Sequence, residues 1–184
     1  MTVMGIVLGL LVLSLVYILL VFNRFIVLRN RIDNAWSQID VQLKRRYDLV
    51  PNLVETVKGY ASYERTTLEK VIEARSKAMG TKDVKEHGEA ENFLSSTLKT
   101  IFALAERYPD LKANQNFMML QEELSGIESK IAYARQFYND TVMKFNILQQ
   151  RFPSAFIANL FGFSEKPYFQ LESTTEKEAV KVKF

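Results

Sequence analysis

One histidine, His87, and no cysteine restrict the chemistry open to this chain. A metal centre built on nitrogen and sulfur needs several such ligands, so a lone His87 on a helix stripe is expected to pack. Glu122, Glu123 and Glu128 crowd one long helical stretch. A di-iron bundle would also require Glu-x-x-His pairs on partner helices, and the chain has none. There is no glycine-rich phosphate loop, no GxSxG turn and no plausible Ser/His/Asp set. The missing cysteine also excludes thiolate nucleophiles, disulfides and lipid modification at sulfur. These residues point to a non-catalytic protein that holds no metal and no cofactor.

The polar side chains that remain are suited to positioning. Arg31, Asp33, Asn34 and Gln38 crowd one early helical face, and Arg135, Gln136, Asn139 and Asp140 a late one. Facing helices can pair such groups through charge-assisted hydrogen bonds, which is a scaffold's use of them.

The elements that carry these residues begin with an anchor. Residues 3–22 form a run of twenty positions without a charge. At ~1.5 Å per residue a helix of that length matches the hydrocarbon thickness of a bilayer. A cleaved signal peptide would need a basic start, a shorter apolar run and a small-residue cleavage site, and none is present. Gly5 and Gly9 form a GxxxG spacing, a candidate surface for packing between transmembrane helices. Arg24, Arg29 and Arg31 follow the run and are candidate contacts to lipid headgroups. Basic residues on this side, with only Met1 and Thr2 before the run, place the N-terminus outside and the following domain in the cytoplasm. The net charge of +3, with acids interspersed, is a poor footprint for nucleic acid, which is not expected as a partner. Lys44, Arg45 and Arg46 lie too far along the helix to reach lipid and read as a solvated face or an intersubunit contact.

Beyond the anchor the apolar residues follow helical periods. Phe25, Leu28, Ile32, Trp36, Ile39, Leu43, Tyr47, Val50, Val54, Val57 and Ala61 take ten steps across 36 residues, the ~3.6 period of a straight helix burying one stripe. Pro51 falls inside and removes the hydrogen bond to residue 47, so a kink is expected there. Thr66 to Glu69 resembles a capping box for a second helix, with Leu68, Val71, Ile72, Ala74 and Ala78 apolar. Gly80 to Asp83 ends it. A third stripe runs Val84, His87, Glu91, Leu94, Leu98, Ile101, Ala105 and Tyr108, with Glu91 as its flaw.

The last stripe is Phe117, Leu120, Leu124, Ile127, Ile131, Ala134, Tyr138, Val142, Phe145, Leu148 and Phe152. Its ten steps take 35 residues, a period of ~3.5 that favours a left-handed supercoil. Short connections make sequential helices antiparallel neighbours. The expected architecture is all-α: a transmembrane helix over residues 1–22, then an antiparallel up-and-down four-helix bundle over 23–163 with long first and last helices. The aromatic turn 154–163 is expected to close the base of the core, with a dip into the membrane interface as the alternative. The polar tail 164–184 is expected to lack stable structure, although Ala179 to Phe184 alternates like an edge strand.

Three long stretches, LRNRIDNAWSQIDVQLKRRYDLVPNLVETVKGYASYE (28–64), LQEELSGIESKIAYARQFYNDTVMKFN (120–146) and FPSAFIANLFGF (152–163), resemble the hallmarks of the LemA family. The tail departs from it, since Val180 stands where relatives often have the proline of a Pro-x-Val-x-Phe ending. The resemblance implies a protein of the bacterial inner membrane with a four-helix up-and-down bundle and no catalytic residues. It also implies a link to membrane organisation, including magnetosome compartments. The functional expectation is a membrane-anchored scaffold that forms a homo-oligomer or recruits other membrane proteins. The alternative is an accessory or sensory subunit that binds a peptide or regulates a partner enzyme such as a membrane protease.

Overall fold

The anchor and the first bundle helix are one element. In the computed structural model, which describes residues 2–81 and 84–169, α1 runs unbroken from Thr2 to Lys58. It is followed by α2 (Arg65–Gly80), α3 (Val84–Ala105), α4 (Pro109–Lys112), α5 (Gln115–Gln150) and α6 (Ser154–Leu160), with no strand among the described residues. The all-α architecture expected from periodicity is therefore present. α1 stops at Lys58, and a turn at residues 59–64 precedes α2. The expected capping box at Thr66 is absent: Glu64 occupies the N-cap and caps through no side-chain bond. The break after Tyr108 holds the single turn of α4, led by Pro109 at its first position, where the missing N–H has no helical partner to lose. Asn114 Oδ1 accepts from the Phe117 N–H at 3.0 Å and caps α5.

The described chain divides into two units, residues 2–39 with 133–168, and residues 40–132 with Phe169. In the first, α1 and α5 lie antiparallel, with the rings of Phe25 and Phe145 5.4 Å apart and those of Trp36 and Tyr138 5.6 Å apart. Leu28, Ile32, Ala35 and Ile39 on α1, and Val142 and Leu148 on α5, complete this apolar seam. The second unit packs the remainder of α1 with α2, α3, α4 and the start of α5. Its core holds Leu43, Val50, Val54, Val57, Ala61, Leu68, Val71, Ala74, Leu94, Ile101, Leu111, Phe117, Leu124 and Ile127, nearly all of them on the expected stripes. Ile72 and Phe152 are the departures, at 51% and 76% exposed.

The N-terminal part of α1 meets no protein. From Val3 to Leu20 its apolar side chains are almost all exposed, whereas burial begins at Val21 and Phe25. Such a surface suits lipid, and the Ser14 hydroxyl in its midst donates back to the Leu10 carbonyl at 2.8 Å. This stretch is a single-pass membrane anchor by length and composition.

Beside the end of the anchor, α6 closes with Gly162 at φ 71, a left-handed conformation that suits glycine. Phe163 N–H reaches the Ala158 carbonyl at 2.9 Å and Gly162 N–H that of Asn159 at 3.4 Å, the paired bonds of a Schellman cap. The cap delivers the Phe163 ring onto Phe25, stacked at 4.5 Å, and near Phe145 and Phe22. Core closure by the aromatic turn is thus carried by Phe163, Ile157 and Ala158. The first residues of the tail are held rather than loose. Asn146 donates to the Lys166 carbonyl and accepts from the Lys166 N–H, each at 2.9 Å, and the Tyr138 hydroxyl donates to the Pro167 carbonyl at 3.1 Å. The alternation at Ala179 to Phe184 lies outside the described residues.

Candidate functional site

Each candidate from the sequence has a definite place. Gly5 and Gly9 lie on the bare anchor, and a Cβ added at either would meet nothing within 4 Å. Arg24, Arg29 and Arg31 are all exposed on α1. At ~100° per residue, Arg24 and Arg31 share one side of the helix and Arg29 points away from them. Arg31 joins Lys144 in lining a cleft of 410 Å³ in the first unit, together with Leu28, Asn34, Phe137 and Thr141. Two cations and two neutral polar groups over an apolar floor would suit an anionic group with an apolar neighbour. Beside that cleft, α5 turns Tyr133, Phe137, Met143 and Ile147 outward at 74%, 58%, 43% and 51% exposure. The same helix buries Tyr138, Val142 and Phe145 on its opposite side, so α5 is apolar on two faces here.

His87 packs as expected, buried, with Nδ1 2.7 Å from the Thr81 hydroxyl. No group of three His, Cys, Asp or Glu side chains able to hold a metal exists among the described residues.

Arg46 is where the structure corrects the sequence reading most. Lys44 and Arg45 are exposed, but Arg46 is fully buried and belongs to neither a solvated face nor a surface contact. It forms an ion pair with Glu91, the flaw in the third stripe, which is equally buried. Its Nη1 also donates to Glu128 Oε2 at 2.6 Å and to Ser95 Oγ at 2.9 Å. Ser95 in turn donates to Glu128 Oε1 at 2.9 Å, and the Tyr47 hydroxyl donates to Glu91. Burial lowers the Arg46 pKa below the ordinary guanidinium value, and the Glu128 carboxylate opposes that shift. The signal was present in the spacing: Arg46 falls three residues after buried Leu43 and four before Val50, on the core side of α1. The network ties α1, α3 and α5 together at one level. It is a structural tie between the three helices, in which Arg46 Nε meets no acceptor and Glu128 stays 43% exposed at the edge.

The protein LemA of Metamycoplasma hominis is similar, 32% identical over 122 residues that make up 64% of this chain and 54% of that protein. Magnetosome protein MamQ 2 of Paramagnetospirillum magneticum and magnetosome protein MamQ of Magnetospirillum gryphiswaldense are each 21% identical over 83% of this chain, and 66% and 65% of their own lengths. The chain spans about half the length of the first and just under two thirds of the other two. The LemA family pattern matches residues 35–184, from the middle of α1 onward. By that match the chain belongs to the LemA family.

Proposed function

We propose that this protein is a membrane-anchored scaffold that works by assembling with copies of itself, and not by catalysis. The observation that carries the reading is the outward face of α5, where Tyr133, Phe137, Met143 and Ile147 are exposed beside the Arg31–Lys144 cleft. An aromatic and aliphatic patch rimmed by charge is the composition of a protein interface. Anchoring holds every copy in one plane and one orientation, so weak contacts between such faces multiply into strong overall association. Gly5 and Gly9 offer a second contact inside the bilayer. The likeness to magnetosome proteins supports a role in shaping or organising membrane. In this reading the anchor crosses the bacterial inner membrane with its N-terminus outside and the bundle in the cytoplasm.

The test is Phe137→Glu combined with Ile147→Glu, both at exposed positions. In native-lipid particles sized by mass photometry, the parent should form oligomers and the double variant should shift to monomers with unchanged helical content. Monomers of the parent across a range of protein densities would overturn the scaffold. A parent monomer that carries one stoichiometric foreign protein would instead favour the accessory-subunit reading, for which the cationic cleft is the docking point.

A further inference from the structure

The segment Phe152 to Phe163 carries no charge, lying between Arg151 and Glu165. Its inner side is accounted for by Ser154, Ile157 and Ala158, all buried. Its outer side is not. Phe152, Phe156 and Leu160, spaced by four, are exposed at 76%, 71% and 75%, and the first two rings stand 6.0 Å apart. Phe156 and Leu160 on the seven-residue helix, with Phe152 in the turn just before it, form a ridge that water does not favour.

The depth of this ridge follows from its contacts with the anchor. The Phe161 ring lies 4.8 Å from that of Phe22, the last residue of the uncharged run. On α5, Phe145 meets Phe25, and the helix continues five residues further to Gln150. Because α5 is antiparallel to α1, its end lies ~7.5 Å below Phe25, level with Leu20. The burial of Val21 agrees, since protein already covers α1 at that height. An anchor of twenty residues needs nearly its whole length to span hydrocarbon, so the end of α5 and all of α6 sit at its edge. Arg24 and Arg151, both exposed, flank this level as residues whose long stems allow their charges to reach headgroups.

We infer that α6 is a second membrane contact, an interfacial foot whose ridge of Phe152, Phe156 and Leu160 inserts into the headgroup–acyl boundary of the leaflet that α1 enters. The occupant of the ridge is lipid, as continuity with the bare surface of the anchor requires. Interfacial helices bury such faces roughly 5–10 Å into this boundary. The foot limits how far the first unit tilts against the bilayer, and it does so in a single copy, without assembly.

The single tryptophan makes the test direct. Trp36 lies fourteen positions beyond Phe22, ~21 Å along α1 and outside the reach of acyl chains. Two full-length variants, Trp36→Phe with Phe156→Trp and Trp36→Phe with Leu160→Trp, move the fluorophore onto the foot. They are placed, one chain per nanodisc, in phosphatidylcholine and phosphatidylglycerol with or without bromine on the upper acyl carbons. Emission from either foot position should fall several-fold in brominated lipid and shift to the blue, whereas Trp36 of the parent should not respond. Unchanged emission at both positions in a helical protein would overturn the foot. So would quenching in single-chain discs that disappears in crowded vesicles, which would assign the ridge to a second copy. Should both variants lose helix, lipid-borne diazirine cross-linking of the unsubstituted protein decides, with adducts on residues 152–163 expected and their absence fatal.

Discussion

Arg75 of α2 donates from Nε to the Tyr47 carbonyl at 2.7 Å, and this is the carbonyl that Pro51 leaves without a helical donor. A proline inside a helix costs the bond from its own position to the residue four earlier. Here α1 continues through Pro51, and a side chain from the neighbouring helix takes the vacant place.

Removing that donor should therefore matter in proportion to the proline. Arg75→Ala should destabilise the protein by about 1–3 kcal/mol, the range for an unmet buried acceptor. In a Pro51→Ala background the helix can supply its own N–H, and the same change should cost less. Chemical unfolding of the four proteins completes the cycle, and equal losses in both backgrounds would separate Arg75 from Pro51.

The Arg46–Glu91 pair predicts an asymmetry. Glu91→Ala strands a buried guanidinium between Glu128 and apolar neighbours and should cost about 3–5 kcal/mol. Replacing both partners, Arg46→Met with Glu91→Leu, should recover most of that loss, because two charges need no longer be desolvated. Lys44→Ala, on the exposed neighbour, should stay within about 0.5 kcal/mol. Thermal unfolding followed by circular dichroism orders the three.

Tyr138 predicts the alkaline limit of the first unit. Burial, reinforced by the negative charge of Asp33, raises its phenol above the ordinary value of 10.0. The folded protein keeps this proton where the unfolded chain releases it. The stability so conferred is complete below pH 10.0 and is lost as pH rises from there through the folded pKa. Tyr138→Phe should flatten the alkaline decline measured by unfolding, at the expense of the bond to Pro167.

Gly162→Ala should weaken the cap of α6 by about 1–2 kcal/mol, the penalty of a left-handed conformation for a residue with a Cβ. Space is not the issue, since an added Cβ meets nothing within 4 Å. Hydrogen exchange at the Phe163 amide should quicken, while exchange in α2 and α3 should be unaffected.

The absence of cysteine allows a clean test of orientation. Ser125→Cys, at an exposed position on α5, should resist an impermeant maleimide in intact cells and react after lysis. Rapid labelling of intact cells would reverse the assignment.

The stripes were legible because helix burial repeats every 3.6 residues and leaves a mark along a single segment. Leu43, Val50, Ile101, Ile131 and Phe145 could be placed in the core from that mark alone. Arg46 and Glu91 could not be paired, because Arg46 reads as one of three surface cations and Glu91 as a flaw in its stripe, and the explanation of each lies on another helix. The bond from Arg75 was hidden for the same reason, with Pro51 visible but its remedy 24 residues downstream of it in the chain. Phe152 failed differently. It continues the period of α5, but the helix ends at Gln150, and beyond that point the period no longer says which way a side chain faces.

Because α1 passes from the bare anchor to Phe25 and Trp36 without a break, there is no joint between membrane and protein. A helix is stiff to twisting, so any rotation of the span about its own axis must turn the seam that meets Phe145 and Tyr138. The anchor is then a drive shaft as much as a tether. A rotation imposed on the span by the bilayer would arrive at the α1–α5 seam as torque. Glycine pairs inserted between Phe22 and Phe25 would slip that shaft, leaving the protein in the membrane with its seam uncoupled from the span.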